Sequence, residues 1–192
     1  MIKPFTLTLI LSLFFSSLIQ SQAAEPLPIN GRFDKPAPTW KFVADGWVRT
    51  GFWGTQSAPN DIKRELDGKN PYVWVSSVAG LDKGTILASW SEPIQLNPVW
   101  KQIKVSVRSR LTDLQRGKNK WETARLQLSF KTEDGVALKS YPSIYLEPSA
   151  DWLKTEGVLK IPLDAHTMTV EFGFWGAIGN LDLDDVELIP LP

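Results

Sequence analysis

Asp184 and Asp185 stand side by side in the last patterned run of the chain, residues 179–188. Leu181 and Leu183 alternate as a half-buried strand requires, while Val186 and Leu188 fall on the opposite parity. One extra residue near the acid pair, a β-bulge, reconciles the two halves and re-aims the side chains there. Adjacent carboxylates repel unless water or a cation screens them. A hard cation such as calcium takes carboxylate and carbonyl oxygens; a solvated acidic strand end satisfies the same pattern.

Other reactive side chains are few. Cysteine is absent and His166 is the only histidine. A Cys-His nucleophile is therefore impossible, and a Ser-His-acid triad would have to run through His166. That residue sits in Asp164-Ala165-His166-Thr167, a turn entering a strand, and reads as a solvated turn histidine. One imidazole and no thiol leave no zinc or iron ligand set. Glycosidase chemistry needs two carboxylates at a set separation, and the sequence shows no pair held on neighbouring strands except Asp184-Asp185, which share one bulge. A polysaccharide lyase, with Tyr, Arg or Lys as base and charge neutraliser, would draw on Arg108, Arg125 and Tyr145.

Planar side chains are plentiful, with nine tryptophans in the chain. Sugar rings offer apolar C–H faces that stack on indole and hydroxyls that need planar polar partners. Trp74, Arg108, Arg125, Gln127 and Glu171 fall at outward positions of alternating runs. Trp47, Trp53 and Trp175 rim that surface in this reading. Gly51-Phe52-Trp53-Gly54 and Gly173-Phe174-Trp175-Gly176 repeat one four-residue pattern, too short to argue duplication.

Strands must position these groups. Ile103, Val105 and Val107 alternate with Lys104, Ser106 and Arg108; Ala124, Leu126, Leu128 and Phe130 alternate with Arg125, Gln127 and Ser129. Met168, Val170, Phe172 and Phe174 form a buried face opposite Thr167, Thr169 and Glu171. Period-two geometry sends the polar sets away from the core. Arg108, Gln127 and Glu171 make one patch if their strands are neighbours in one sheet. Residues 72–78 and 84–96 read as further strands, the second interrupted at Pro93 and so expected to cross an edge or change sheet. The polar stretches 60–71 and 112–121 read as loops. Proline (14) and glycine (13) punctuate the chain as many short strands require. The pattern predicts about eight to ten strands in one all-β domain, a two-sheet antiparallel β-sandwich of jelly-roll type.

Residues 1–23 are expected to be a cleaved signal peptide: Lys3, an apolar run from Phe5 to Ile19, then Ser21-Gln22-Ala23 as a small-x-small site. The run is shorter than the roughly 20 residues of a membrane span. Residues 24–192 form the domain, secreted or periplasmic, without disulfides. With 21 basic and 21 acidic side chains and no long basic run, nothing favours nucleic acid or an anionic membrane surface.

The opening Asn30-Gly31-Arg32-Phe33-Asp34 and the closing Asp184-Asp185-Val186 resemble the two ends of galactose-binding-like jelly rolls. These include carbohydrate-binding modules attached to secreted cellulases and xylanases. The stretch from Trp152 through Ile161-Pro162, Ala165 and Gly179 to Val186 is also similar to the last third of that family. The resemblance implies two stacked antiparallel sheets and a binding cleft across the concave face of one. It implies a structural calcium held by Asp34 with Asp184 or Asp185 and carbonyls near Gly31, although the family more often has Glu at the position of Asp34. The expected function is non-catalytic binding of a polysaccharide or glycan, with Trp53, Trp74, Arg108, Gln127, Glu171 and Trp175 as site residues. A structural or adhesive envelope protein that binds a protein partner is the alternative from another class, and a carbohydrate-cleaving enzyme the third.

Overall fold

Residues 25–39, 42–50, 62–78 and 85–192 are described by the computed structural model. Among them are twelve strands and no helix. With strands numbered in chain order, the first sheet runs β1 (Phe42–Ala44), β2 (Trp47–Thr50), β5 (Thr85–Trp90), β11 (Thr167–Trp175), β8 (Ala124–Lys131), β9 (Ser143–Tyr145). The short β6 (Ile94–Gln95) also pairs with β11. The second sheet runs β10 (Ser149–Lys160), β7 (Gln102–Gln115), β12 (Ile178–Leu191), β4 (Asn70–Ser77), β3 (Ile62–Asp67). All pairings between strands are antiparallel. This is the all-β, two-sheet jelly-roll sandwich that the alternation predicts.

The core lies between the sheets because the alternating apolar sets meet there. Ile103, Val105 and Val107 of β7 and Leu181, Leu183, Val186 and Leu188 of β12 are buried from one side. Leu126, Leu128 and Phe130 of β8 and Val170, Phe172 and Phe174 of β11 are buried from the other. Full burial of each such side chain stabilises by about 1.5–3 kcal/mol. Phe33, Trp47 and Phe172 close one end, with ring centroids 5.0–6.0 Å apart.

The bulge falls where the parity changes. On β12 the pairing steps from Asp184 opposite Arg108 to Glu187 opposite Ser106, three residues against two. Asp185 takes the extra position with φ 50°. The N-terminal segment lies on this bulge: Val186 N–H donates to Gly31 C=O at 2.9 Å, and Leu27 N–H to Leu188 C=O at 2.8 Å. A Cβ at position 31 would sit 1.8 Å from the Val186 carbonyl oxygen, so the opening Asn-Gly needs its glycine for close approach.

Three expectations are corrected. Residues 62–70, read as loop, form β3 and its turn into β4; only Ile62 there is buried, so no alternation betrayed a charged strand at the sheet edge. β7 continues to Gln115 through the left-handed Asp113 (φ 57°), beyond the expected loop start at Thr112. Pro93 does not send its strand to another sheet, since β5 and β6 both pair with β11.

Candidate functional site

On the face of the first sheet that points away from the core, Glu171 is the centre of a hydrogen-bonded row. Cross-strand register sets Ser89 of β5, Glu171 of β11 and Gln127 of β8 side by side. Ser129 Oγ donates to Glu171 Oε2 at 2.7 Å, Gln127 Nε2 to the same oxygen at 3.2 Å, and Ser89 Oγ reaches Oε1 at 3.4 Å. Thr50 Oγ1 shares a hydrogen bond with Ser89 Oγ, which ties β2 into the row. Hydroxyls and an amide thus hold a carboxylate with its oxygens fixed in direction.

One rung along, Gly173 lies between Leu87 and Arg125. Its φ of 141° and a would-be Cβ 2.1 Å from the Ile86 carbonyl oxygen demand glycine. Arg125 is only 8% exposed, unusual for an outward-facing cation. Its guanidinium lies 4.3 Å from the centroid of Trp175, and Nη1 donates to the Trp121 carbonyl at 3.2 Å. Burial lowers its pKa, an effect that the neighbouring Tyr145 phenol and the Glu171 carboxylate oppose only in part. Tyr145 stands directly across from Arg125 on β9 and keeps an exposed ring.

Three polar atoms of this face are buried without a hydrogen-bond partner among the described residues: Thr123 Oγ1, Arg125 Nε and Gln127 Oε1. They stand at alternate positions 123, 125 and 127, along and just before one strand. A buried polar atom left unpaired costs about 1–3 kcal/mol. Such groups are rare in folded proteins.

The structure separates the other sequence-selected residues from this row. Gln127 and Glu171 are neighbours, but Arg108 is on β7 in the second sheet, so the three do not form one patch. The apolar alternation was the same in both sheets and could not tell them apart. Arg108 instead donates to Asp185 at 3.2 Å and lies 5.2 Å from the Trp152 ring. Trp74 is also on the second sheet, half-buried under Lys63 Nζ at 4.9 Å. Trp47 is not a rim residue: it is fully buried and donates its indole N–H to the Asn30 carbonyl at 2.9 Å. Trp175 is 7% exposed and carries Arg125 on its ring. Trp53, and with it the first Gly-Phe-Trp-Gly, lies outside the described residues. The lone His166 is exposed in its turn.

The acid cluster is closed by hydrogen bonds and ion pairs. Asp184 is 1% exposed and both its oxygens are taken, Oδ2 by Asn70 Nδ2 and Oδ1 by Asp185 N–H, each at 2.7 Å. Burial raises its pKa more than these hydrogen bonds lower it. Asp185 pairs with Arg108, and Arg32 Nε lies 3.9 Å from Asp185 and 3.7 Å from Asp34. The Gly31 carbonyl accepts from Val186. Among the described residues no three acidic or histidine side chains group to hold a metal. Two guanidinium groups stand where the calcium of the resemblance would lie, and these residues do not fit it.

No protein-family model matches the sequence, and none of the curated proteins does. Solved structures do. The family 11 carbohydrate-binding module of the cellulosomal cellulase Lic26A-Cel5E of Clostridium thermocellum aligns with a TM-score of 0.59 at 14% identity, over 88% of this chain and 96% of that one. The fold is similar to that of carbohydrate-binding modules. A family 11 module from the same organism, in complex with a β-1,3-1,4-mixed-linked tetrasaccharide, aligns with a TM-score of 0.52 at 15% identity over 75% of this chain and 88% of that one. The enzymatically active domain of tailspike protein 4 of bacteriophage CBA120 gives a TM-score of 0.58 at 12% identity. There the match covers 85% of this chain but 21% of the tailspike chain.

Within this module-like fold, sequence reasoning missed the depth of Arg125 and the roles of Thr123, Ser89 and Ser129. Alternation marks Arg125 as an outward position. Its seat on Trp175 depends on β8–β11 pairing, which neither strand reveals alone.

Proposed function

We propose that the chain is an exported, non-catalytic carbohydrate-binding domain whose ligand lies across the outer face of the first sheet. The observation that carries this reading is the partly exposed carboxylate of Glu171, held in direction by Gln127, Ser129 and Ser89 on the outer face. Glu171 and Ser129, both partly exposed, would meet sugar hydroxyls, and the exposed Tyr145 ring would carry a C–H face. A mixed-linked β-glucan is the first ligand class to try, because a neighbour of similar fold binds such a tetrasaccharide. The apolar run of residues 5–19 supports export. The test is affinity gel electrophoresis of the full chain against soluble polysaccharides, mixed-linkage β-glucan first. Retardation without release of reducing ends supports binding without cleavage.

A lyase reading has one observation in its favour: Arg125 and Tyr145 stand opposite each other, beside Glu171. Ultraviolet absorbance of an unsaturated product from a uronic-acid polysaccharide would establish it over the binding reading.

A further inference from the structure

The second sheet also presents an organised face to solvent. Register puts Trp74, Asp182 and Arg110 side by side across β4, β12 and β7, with Lys63 beyond Trp74. Strands lie about 4.8 Å apart, so the row from Trp74 to Arg110 spans about 10 Å. Arg110 Nε donates to Asp182 Oδ2 at 2.8 Å and Nη1 to Asp67 at 3.3 Å. Its guanidinium lies 4.7 Å from the Trp152 ring centroid and 5.5 Å from that of Tyr72, and these two rings meet edge to face at 5.8 Å. In the next rung Asn180 faces Ser76 and Thr112.

These side chains enclose an open cleft of about 370 Å³ lined by Tyr72, Trp74, Arg110, Thr112, Asn180 and Asp182, with the exposed Ala150 at its edge. That volume is within the range of roughly 300–1,000 Å³ usual for small-molecule sites. Aromatic rings occupy positions that alternation reserves for solvent, at an energetic cost unless something covers them. Both charged linings are already paired with each other, so the cleft offers planar apolar surface and neutral hydrogen-bonding edges rather than net charge. An anionic ligand gains nothing there; a neutral sugar chain finds rings for its C–H faces and fixed amide, hydroxyl and carboxylate groups for its hydroxyls.

We propose that this outer face of the second sheet is a second carbohydrate-binding surface for a neutral polysaccharide, back to back with the first. The proposal rests on the reading of the chain as a carbohydrate-binding domain, and makes that domain bivalent, able to bridge two polysaccharide chains. Two surfaces on one rigid sandwich add avidity without further contacts.

The test is affinity electrophoresis of the full chain in gels containing soluble mixed-linkage β-glucan, xylan or galactomannan, with thermal melting as a control for folding. Trp74→Ala removes a ring, and Ala150→Arg blocks the cleft from an exposed position without removing any packing. Each is expected to weaken retardation at least five-fold in the gel that retards the wild type. Gln127→Leu should leave part of the retardation, and Gln127→Leu with Ala150→Arg none. Wild-type mobility for both Trp74→Ala and Ala150→Arg, with retardation lost in Gln127→Leu, overturns the second surface and leaves the first standing. Loss in Ala150→Arg with none in Gln127→Leu keeps the second surface and removes the first. No retardation of the wild type in any of these gels removes both.

Discussion

Gln127 and Glu171 face each other across β8 and β11, amide to carboxylate at 3.2 Å, on the side of the sheet away from the core. Glu171 accepts from the amide and from two serines, so its oxygens are aimed before any ligand arrives. Glu171→Gln replaces one of those oxygens by a donor facing donors. It should cost about 1–3 kcal/mol of stability through the bonds it leaves unmade. Urea unfolding checks this, and an unchanged midpoint would mean that these hydrogen bonds contribute nothing to stability.

Much of this fold was legible from alternation. The inward sets of β7, β8, β11 and β12 follow directly from apolar residues at every second position, and the bulge from the parity break after Leu183. Which strands share a sheet was not legible, because a jelly roll pairs strands distant in sequence: β11 joins β5, and β12 joins β4. That is why Arg108 could be grouped with Gln127 and Glu171 although it faces the other way. The acid pair was placed correctly on the bulge, but sequence could not show that Asn70, Arg108 and Arg32 would gather around it.

Chelation tests that cluster. With guanidinium groups beside Asp34 and Asp185 and both Asp184 oxygens bonded, a chelator should leave the melting temperature unchanged, and added calcium should not raise it. A fall reversed by calcium would show a native-state cation after all, by mass action. Arg32 is largely exposed, so Arg32→Ala should cost no more than about 1 kcal/mol.

Asp184 makes a pH prediction. Burial raises its pKa above the ordinary 3.8, so the native state holds the proton more tightly than the unfolded chain. The stability this contributes is full below the unfolded value and is lost as pH rises through the higher folded value. Asp184→Asn removes that loss. The unfolding free energy of the variant relative to wild type should therefore rise with pH from about 4 upward, measured by urea titration at several pH values. A difference that stays flat, or falls, would contradict the assignment.

Gly31→Ala tests the seat of the N-terminal segment. A methyl group 1.8 Å from the Val186 carbonyl oxygen cannot be accommodated without moving backbone. Overpacking of this kind costs about 1–3 kcal/mol or more. Thermal melting reads the loss, and a wild-type melting temperature would mean that the segment does not lie on the bulge.

The most direct measurement for the binding face compares wild type with Gln127→Leu in affinity electrophoresis, on whichever soluble polysaccharide retards the wild type. The substitution removes one donor to Glu171 but also the unpaired Oε1, so stability should change by no more than about 1 kcal/mol. Binding through the first sheet should weaken at least five-fold, about 1 kcal/mol, because Gln127 aims the Glu171 carboxylate and a hydrogen bond to a charged group contributes about 1.5–3 kcal/mol. Retardation equal to that of the wild type, in a variant that melts normally, would contradict a sugar site on this face.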